Sequence, residues 1–392
     1  MVIKRCTPSA TQVFRLDLEK GKDHSHRMLT ELERTHHEIF MKQAIKLARR
    51  GIGSTHPNPR VGAVVVKNGL IVGEGWHEFP GGPHAEAMAI EKAGEKAKDA
   101  TLYVTLEPCA AHGRTPACTD AIRSSGIAHV IYASSDPNPK MAGGAKVLTA
   151  SHIDVIGGFM AEEADKLNLP FFHYMRTGRP YVTAKAAISL DGKLATRTHN
   201  SQWISGGESR MHAQGIRAQV DAIVVGAGTL QYDNPSLTVR DVEIKGKPPL
   251  RVVLCFETPR FNADSKLLTG DAVTRFYVRS SNEHTEKWQQ AGVEIEQLSS
   301  LDAILKHLAE DGYLHLLLEG GGYLHASFFE GHFTDELVLY QAPILIGGRD
   351  AICLWNGLGV ESVGQALHLA DIKRRVLGDD VMIRGRVVYF ED

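Results

Sequence analysis

Apolar residues recur at helical spacing over residues 36–50, where Phe40, Ala44, Leu47 and Ala48 form one stripe that ends in Arg49, Arg50 and Gly51. A first helix is predicted there. Two apolar runs, 63–67 and 70–75, flank Asn68-Gly69, which marks a β-hairpin. Residues 85–98 are rich in helix formers, and Leu102, Val104 and Leu106 alternate as in a strand. Strands at 130–133 and 154–158 enclose a helical stretch at 141–151. Repeated alternation of this kind implies an α/β sandwich whose sheet is mainly parallel beyond the hairpin. The pattern breaks at R-T-G-R-P, residues 176–180, and a second α/β pattern begins. Its strands are expected at 181–187, 221–225, 250–254, 275–278, 314–318, 336–341 and 381–389, with a helix at 302–310 and another after residue 322. The expected organisation is a tail at 1–35, one domain at 36–178 and a second at 180–392.

A length of 392 residues suits two cores rather than one. The tail is polar and charged, lacks an apolar signal region and carries acidic residues that argue against a transit peptide, so it reads as disordered, with Met28 as an alternative start. Net charge is −2, which predicts no nucleic-acid partner. No apolar run reaches the roughly 18 residues that span a bilayer, so no membrane partner is expected. Five cysteines, widely scattered, are too few for a disulfide framework and point to a reducing, cytoplasmic compartment.

Chemistry concentrates between residues 83 and 118, where P-H-A-E precedes E-P-C and a further cysteine. His84, Cys109 and Cys118 make a Cys₂His set that fills three positions of tetrahedral zinc and leaves the fourth for water. Two thiolates offset the charge of the ion, which still lowers the pKa of its water. One zinc per chain is expected. The H-x-E…P-C order resembles that of zinc deaminases, in which the glutamate, here Glu86, is no ligand but moves protons. His84 should open one helix, and Cys109 another through 119–125, whose positive end favours a thiolate. A purely structural zinc knuckle needs a fourth protein ligand, and His112 is available for it. Asn58, between two prolines ahead of the H-x-E motif, is read as a substrate contact rather than mere turn chemistry. G-A-G-T at 226–229 and E-G-G-G at 319–322 follow strands, so their N–H groups suit a pyrophosphate, although neither is a full G-x-G-x-x-G and both serve equally as turns.

Longer motifs carry a resemblance across nearly the whole chain past the tail. H-P-N-P-R-V-G-A-V at 56–64, G-W-H-E-F-P-G-G-P-H-A-E at 75–86 and Y-V-T-L-E-P-C-A-A-H-G-R-T-P-A-C at 103–118 resemble the bifunctional riboflavin-biosynthesis deaminase/reductase family. So do S-L-D-G at 189–192, S-Q-W-I-S at 201–205, D-N-P-S-L-T-V-R at 233–240 and L-L-E-G-G at 317–321. The long loop 110–117 sets the chain apart from nucleic-acid and cytidine deaminases, which use C-x-x-C. The resemblance implies a cytidine-deaminase-like α/β sandwich followed by a dihydrofolate-reductase-like α/β domain. It implies a small-molecule substrate, a 2,5-diamino-6-(phosphoribosylamino)pyrimidinone, which loses its 2-amino group by hydrolysis before NADPH reduces its ribose to a ribityl chain.

Family positions carry over residue by residue. Arg114 would hold the substrate phosphate, and Ser201, Arg217, Leu237, Arg240 and Glu319 would contact the substrate of reduction. Ala187, Trp203, Thr229, Asp233, Gly321, Gly322, Tyr323, Leu324, His325, Ala326 and Ser327 would hold the nucleotide. Lys185, Asp233 and Glu319 are the polar groups expected around the reacting sugar carbon. Glu319, at a strand end, is read as facing the sugar hydroxyls, with a capping role in the next helix as the alternative. Cys255-Phe256 and Gly322-Tyr323 replace the family's usual Asp-Ser and Pro-Thr. A homo-oligomer is expected. Two rival readings are weighed: a nucleoside or tRNA-base deaminase with an unrelated second domain would predict C-x-x-C and a basic face, and an inactive zinc scaffold would have no use for Glu86.

Overall fold

Thr30 opens the first helix, α1 (Glu31–Ala48): its hydroxyl accepts from the Glu33 N–H, and the Glu33 carboxylate accepts from the Thr30 N–H at 2.9 Å. This capping box starts the helix upstream of residue 36, where the apolar stripe alone would begin it. The computed structural model describes residues 30–111 and 116–390. Most of the expected tail, including Met28, lies outside the described residues.

In the first unit, β1 (Gly62–Lys67) and β2 (Leu70–Trp76) pair antiparallel across Asn68 and Gly69, both at positive φ as a tight hairpin requires. The sheet runs β2-β1-β3-β4-β5 with β3 (Thr101–Leu106), β4 (His129–Ser134) and β5 (Asp154–Ile156) parallel. Its other helices are α2 (Ala85–Ala93), α3 (Cys118–Ser124), α4 (Gly144–Ala150) and α5 (Ala161–Asp165). Strand alternation feeds two cores: Val64 and Val66 meet Phe40, Met41 and Leu47 of α1, whereas Ala63 and Val65 meet Ala85, Ala89 and Ile122 on the other face. The result is a three-layer sandwich. Helix α2 lies so close to β2 that a Cβ on Gly75 would fall 2.2 Å from the Ala85 carbonyl oxygen. Glycine there seats the start of α2, where His84 and Glu86 reside.

The second unit combines Ile52–Pro59 with Asn168–Asp392. It therefore begins at Asn168 rather than after Gly178, because α6 (Leu169–Thr177) buries Phe171 against Ala309 and Leu314. Segment 52–59 joins it through His56, whose Nδ1 is 3.3 Å from the Asp221 carboxylate; that carboxylate also accepts from the Leu314 and His315 N–H groups at 2.8 Å. The strands are β6 (Tyr181–Ile188), β7 (Ala222–Gly226), β8 (Leu250–Glu257), β9 (Thr274–Ser280), β10 (Glu294–Gln297), β11 (His315–Leu318), β12 (Glu336–Gln341), β13 (His368–Leu377) and β14 (Asp380–Val388). Their order is β10-β9-β8-β7-β11-β6-β12-β14-β13, parallel through β12 and antiparallel at β14 and β13. Ile223 and Val225 face one core, and Ala222 and Val224 the other. The helices α7 (Gly207–Arg217), α8 (Ala227–Asp233), α9 (Thr285–Gln290), α10 (Leu301–Glu310) and α11 (Gly322–Glu330) follow the strands. Strand β13 escapes sequence patterning because most of it is exposed and it carries Lys373, Arg374 and Arg375 in place of alternating apolar residues. Among the described residues, no helix is long and apolar enough to cross a membrane.

Candidate active sites

His84 is the N-cap residue of α2, in extended conformation and without a capping bond from its side chain, and Glu86 follows in the first turn, only 4% exposed. Cys109 leaves the end of β3. Cys118, and not Cys109, opens α3, because Ala117 supplies the extended N-cap; the helix start still reaches Cys109 through the Cys118 N–H, 3.3 Å from its Sγ. His84 Nδ1 lies 3.1 Å from Cys118 Sγ and 3.6 Å from Cys109 Sγ, and all three ligand atoms fall within 4.8 Å of one another. Zinc bound tetrahedrally to one imidazole and two thiolates requires separations of roughly 3.5–3.8 Å, so the residues fit the ion. Among the described residues, no fourth Asp, Glu, His or Cys joins the group. His112 and Arg114 lie outside them.

Electrostatics agree with a cation site. Hydrogen bonding from Cys118 and His84 draws the Cys109 thiol toward thiolate, its bond to Cys109 pushes Cys118 up, and hydrogen bonding to Cys109 raises His84. The group thus shares protons where a metal ion would replace them. Burial pushes the Glu86 carboxyl up, against the pull of His84. Two supporting residues were not singled out in the sequence. His77 Nδ1–H donates to the Pro83 carbonyl at 3.1 Å, with its ring 5.8 Å from that of His84. Glu107 accepts from the Ala145 and Asp136 N–H groups at 3.0 and 3.3 Å, tying down the E-P-C turn. The motifs contained both residues, but neither residue type announces a backbone clamp. Asn58 belongs to the segment that packs with the second unit, and its N–H closes a turn onto the Thr55 carbonyl at 2.8 Å.

In the second unit a cavity of about 850 Å³ opens at the carboxyl ends of the parallel strands β8, β7, β11 and β6, the usual ligand position in such sheets. Its walls include the expected Lys185, Ala187, Ser201, Trp203, Arg217, Thr229, Asp233, Leu237, Arg240, Glu319, Gly321, Gly322, Tyr323, Leu324 and Ser327. His325 and Ala326 are different. Helical periodicity keeps Tyr323 and Ser327 on the cavity side of α11 and turns those two residues into the core, with His325 wholly buried.

Arg217 grips Glu319 with two parallel hydrogen bonds, Nε to Oε1 at 2.8 Å and Nη2 to Oε2, and its Nη1 donates to the Thr238 carbonyl at 3.0 Å. Gly321, and not Glu319, is the N-cap of α11, and Glu319 lines the cavity already paired with Arg217. Burial would raise its pKa, but Arg217 and then Lys185 hold it down at about 2. Lys185 Nζ stands 5.8 Å from the centre of the Tyr340 ring; burial lowers its pKa and Glu319 partly restores it. Ser201 Oγ donates to Asp233 at 3.3 Å, and burial raises the Asp233 carboxyl. Burial pushes the Cys255 thiol up to about 12, leaving a neutral group at the end of β8. Unforeseen wall residues include Arg210, 4.7 Å over the Trp203 ring, and Tyr232, stacked on His199 at 4.1 Å.

Residues 34–134 match the cytidine and deoxycytidylate deaminase zinc-binding region, and residues 180–383 match the RibD C-terminal domain. Riboflavin biosynthesis protein RibD of Aquifex aeolicus (strain VF5) is 45% identical over 359 residues, which cover 91% of this chain and 99% of that protein. The chain belongs to the RibD family. The RibD of Escherichia coli (strain K12) is 38% identical over 88% of this chain and 98% of its own length. Solved RibD from Acinetobacter baumannii superposes with a TM-score of 0.84 at 35% identity, covering 91% of this chain and 100% of that one. A Thermotoga maritima structure described as a diaminohydroxyphosphoribosylaminopyrimidine deaminase/5-amino-6-(5-phosphoribosylamino)uracil reductase gives 0.80 at 35% identity, covering 90% and 99%. Like RibD, this chain is a bifunctional deaminase and reductase of riboflavin biosynthesis, with an N-terminal cytidine-deaminase-like domain that binds zinc and a C-terminal reductase domain that uses NADPH.

Proposed function

We propose that the first unit hydrolyses the 2-amino group of 2,5-diamino-6-(5-phosphoribosylamino)pyrimidin-4-one, and that the second reduces the ribose of the resulting 5-amino-6-(5-phosphoribosylamino)uracil to its ribityl form. The observation that carries the first step is the buried Glu86 carboxyl beside a three-ligand group with no fourth described ligand. When held by His84, Cys109 and Cys118, zinc supplies the Lewis acidity that makes water nucleophilic at neutral pH. Glu86 takes one proton of the attacking water to the ring nitrogen beside the reacting carbon, and then the second, from the new hydroxyl, to the amine that departs as ammonia. Its raised pKa suits a group that must both accept and donate. Arg114 is assigned to the substrate phosphate and Asn58 to the substrate, both on the family motifs.

Reduction is assigned to the cavity of the second unit. The starts of α8 and α11 present backbone N–H groups to it, which suits the pyrophosphate of NADPH. Hydride delivered to the anomeric carbon requires a proton at the ribose ring oxygen. Lys185 is the better donor, because Glu319 is held as a carboxylate by Arg217 and burial already loosens the Lys185 proton. Asp233 with Ser201 then orients the ligands. The chain is further read as cytoplasmic on its sparse cysteines and as lacking a nucleic-acid partner on its net charge, and a homo-oligomer is expected of it.

Incubation with the diaminopyrimidine and NADPH should yield 5-amino-6-(5-phosphoribitylamino)uracil by mass spectrometry, with ammonia and oxidised cofactor formed in equal amounts. Consumption of NADPH with the sugar left unreduced would refute the second assignment.

A further inference from the structure

One reactive pair in the second unit serves neither reaction. The Lys193 ammonium reaches Cys353 Sγ at 3.2 Å and the Ala351 carbonyl at 3.5 Å. Lysines at protein surfaces usually face water or a carboxylate. Here the backbone brings nitrogen and sulfur together. Lys193 and Cys353 form an isolated antiparallel bridge, Leu194 N–H donates to the Ile352 carbonyl at 2.8 Å, and the Lys193 N–H is fixed on Ser189 Oγ at 3.0 Å. Both side chains are half-buried, so small oxidants reach them while bulk water does not surround them.

We propose that Lys193 and Cys353 are a redox-sensitive modification site, in which dioxygen links Lys193 Nζ to Cys353 Sγ through one bridging oxygen atom. The ammonium first gives one proton to water; the thiol S–H bond and one N–H bond of the resulting amine then break, and N–O and O–S bonds form. Sulfur and nitrogen each give up two electrons, dioxygen takes all four, one of its oxygens stays as the bridge, and the other leaves as water with the two hydrogens. A separation of 3.2 Å leaves little closure for a single inserted atom, whereas a direct N–S bond would draw the chains much closer.

The site borders the cavity wall. Leu194 and Ile352, the chain neighbours of the pair, line the cavity. A Cβ on Gly322 would fall 2.1 Å from the Cys353 carbonyl oxygen, so glycine at this position lets the segment press on the start of α11. The link therefore ties the cavity wall to the oxidation state of the surroundings. The proposal stands on side-chain geometry and is independent of the substrate assigned to the cavity.

The zinc-loaded full chain would be equilibrated with air or kept in thiol reductant, then compared by intact mass, peptide mapping and thermal melting. Expected in air is a species about 14 Da heavier, one oxygen gained and two hydrogens lost, with a peptide pair joining Lys193 to Cys353 that thiol reductant releases. Because the link would close a long loop between residues 193 and 353, the oxidised chain should also melt several degrees higher. Lys193→Arg keeps the cation and Cys353→Ser the packing, and both should abolish the linked peptide. An unchanged mass in air would overturn the proposal, as would oxygen added to Cys353 alone to the same extent in Lys193→Arg. A linked pair about 2 Da lighter, the mark of a direct N–S bond, would overturn the oxygen bridge.

Discussion

The metal group of the first unit and the cavity of the second are built by opposite means. Three ligands and Glu86 come from two helix starts and one strand end between residues 84 and 118, and their chemistry follows from residue type: one imidazole, two thiols and one buried carboxyl. The cavity gathers its walls from residues 185 to 352, glycines such as Gly226 and Gly321 and aromatic residues such as Trp203 and Tyr232 among them. Its one strong polar anchor, Arg217 on Glu319, joins the end of a helix to the end of a strand far along the chain. A site made by ligand chemistry should fail by losing its ligand, and a site made by long-range packing should fail by losing its frame.

The largest effect expected from that contrast is local. Cys109→Ser should lose zinc as measured by metal analysis and lose deamination by at least about 100-fold, while reduction of the deaminated intermediate and the melting of the second unit stay unchanged. Full zinc occupancy in this variant would remove Cys109 from the site. Arg217→Ala should act on the frame instead. It leaves Glu319 buried without its partner, at a cost of about 3–5 kcal/mol in denaturant unfolding of the second unit, together with loss of reduction. A variant that unfolds like the wild type would show that the pair does not anchor the cavity.

Acid should sharpen the comparison further. Glu319 is held at about 2, below its ordinary 4.5, so its contribution to stability is complete above about pH 4.5 and is lost as pH falls toward 2. By linkage this amounts to about 3 kcal/mol. Glu319→Gln should flatten that part of the stability profile, and a profile as steep as the wild type's would assign the acid sensitivity to other groups. The smallest effect belongs to neither site: Thr30→Ala removes the capping box of α1 and should lower stability by about 1 kcal/mol with both activities intact.

Legibility in the sequence followed the same division. Strand alternation and the Asn68-Gly69 turn placed the first sheet, and the spacing of His84, Cys109 and Cys118 found the metal group, because period and ligand type are local signals. The capping box at Thr30 and Glu33 was equally local, yet the apolar stripe alone set the helix start too late. Long-range facts stayed hidden. Nothing in the order of residues tells that 52–59 packs with the second unit, that α6 does so too, or that Arg217 meets Glu319. Most residues that the family motifs assigned to substrate or nucleotide line the cavity, but a continuous run from Gly321 to Ser327 ignores the helix, which turns His325 and Ala326 away. Exposed β13 carried no alternating apolar signal, its apolar residues being broken up by Lys373, Arg374 and Arg375.

The central claim is that one chain performs two separable steps in a fixed order, and Glu86→Gln tests it most directly. Zinc-loaded Glu86→Gln would be given NADPH with either the diaminopyrimidine or its deaminated product, and ammonia release and NADPH oxidation followed together. The account predicts neither signal from the first compound and wild-type NADPH oxidation from the second. Oxidation of NADPH with the diaminopyrimidine and no ammonia would show that reduction does not wait for deamination, and would contradict the account.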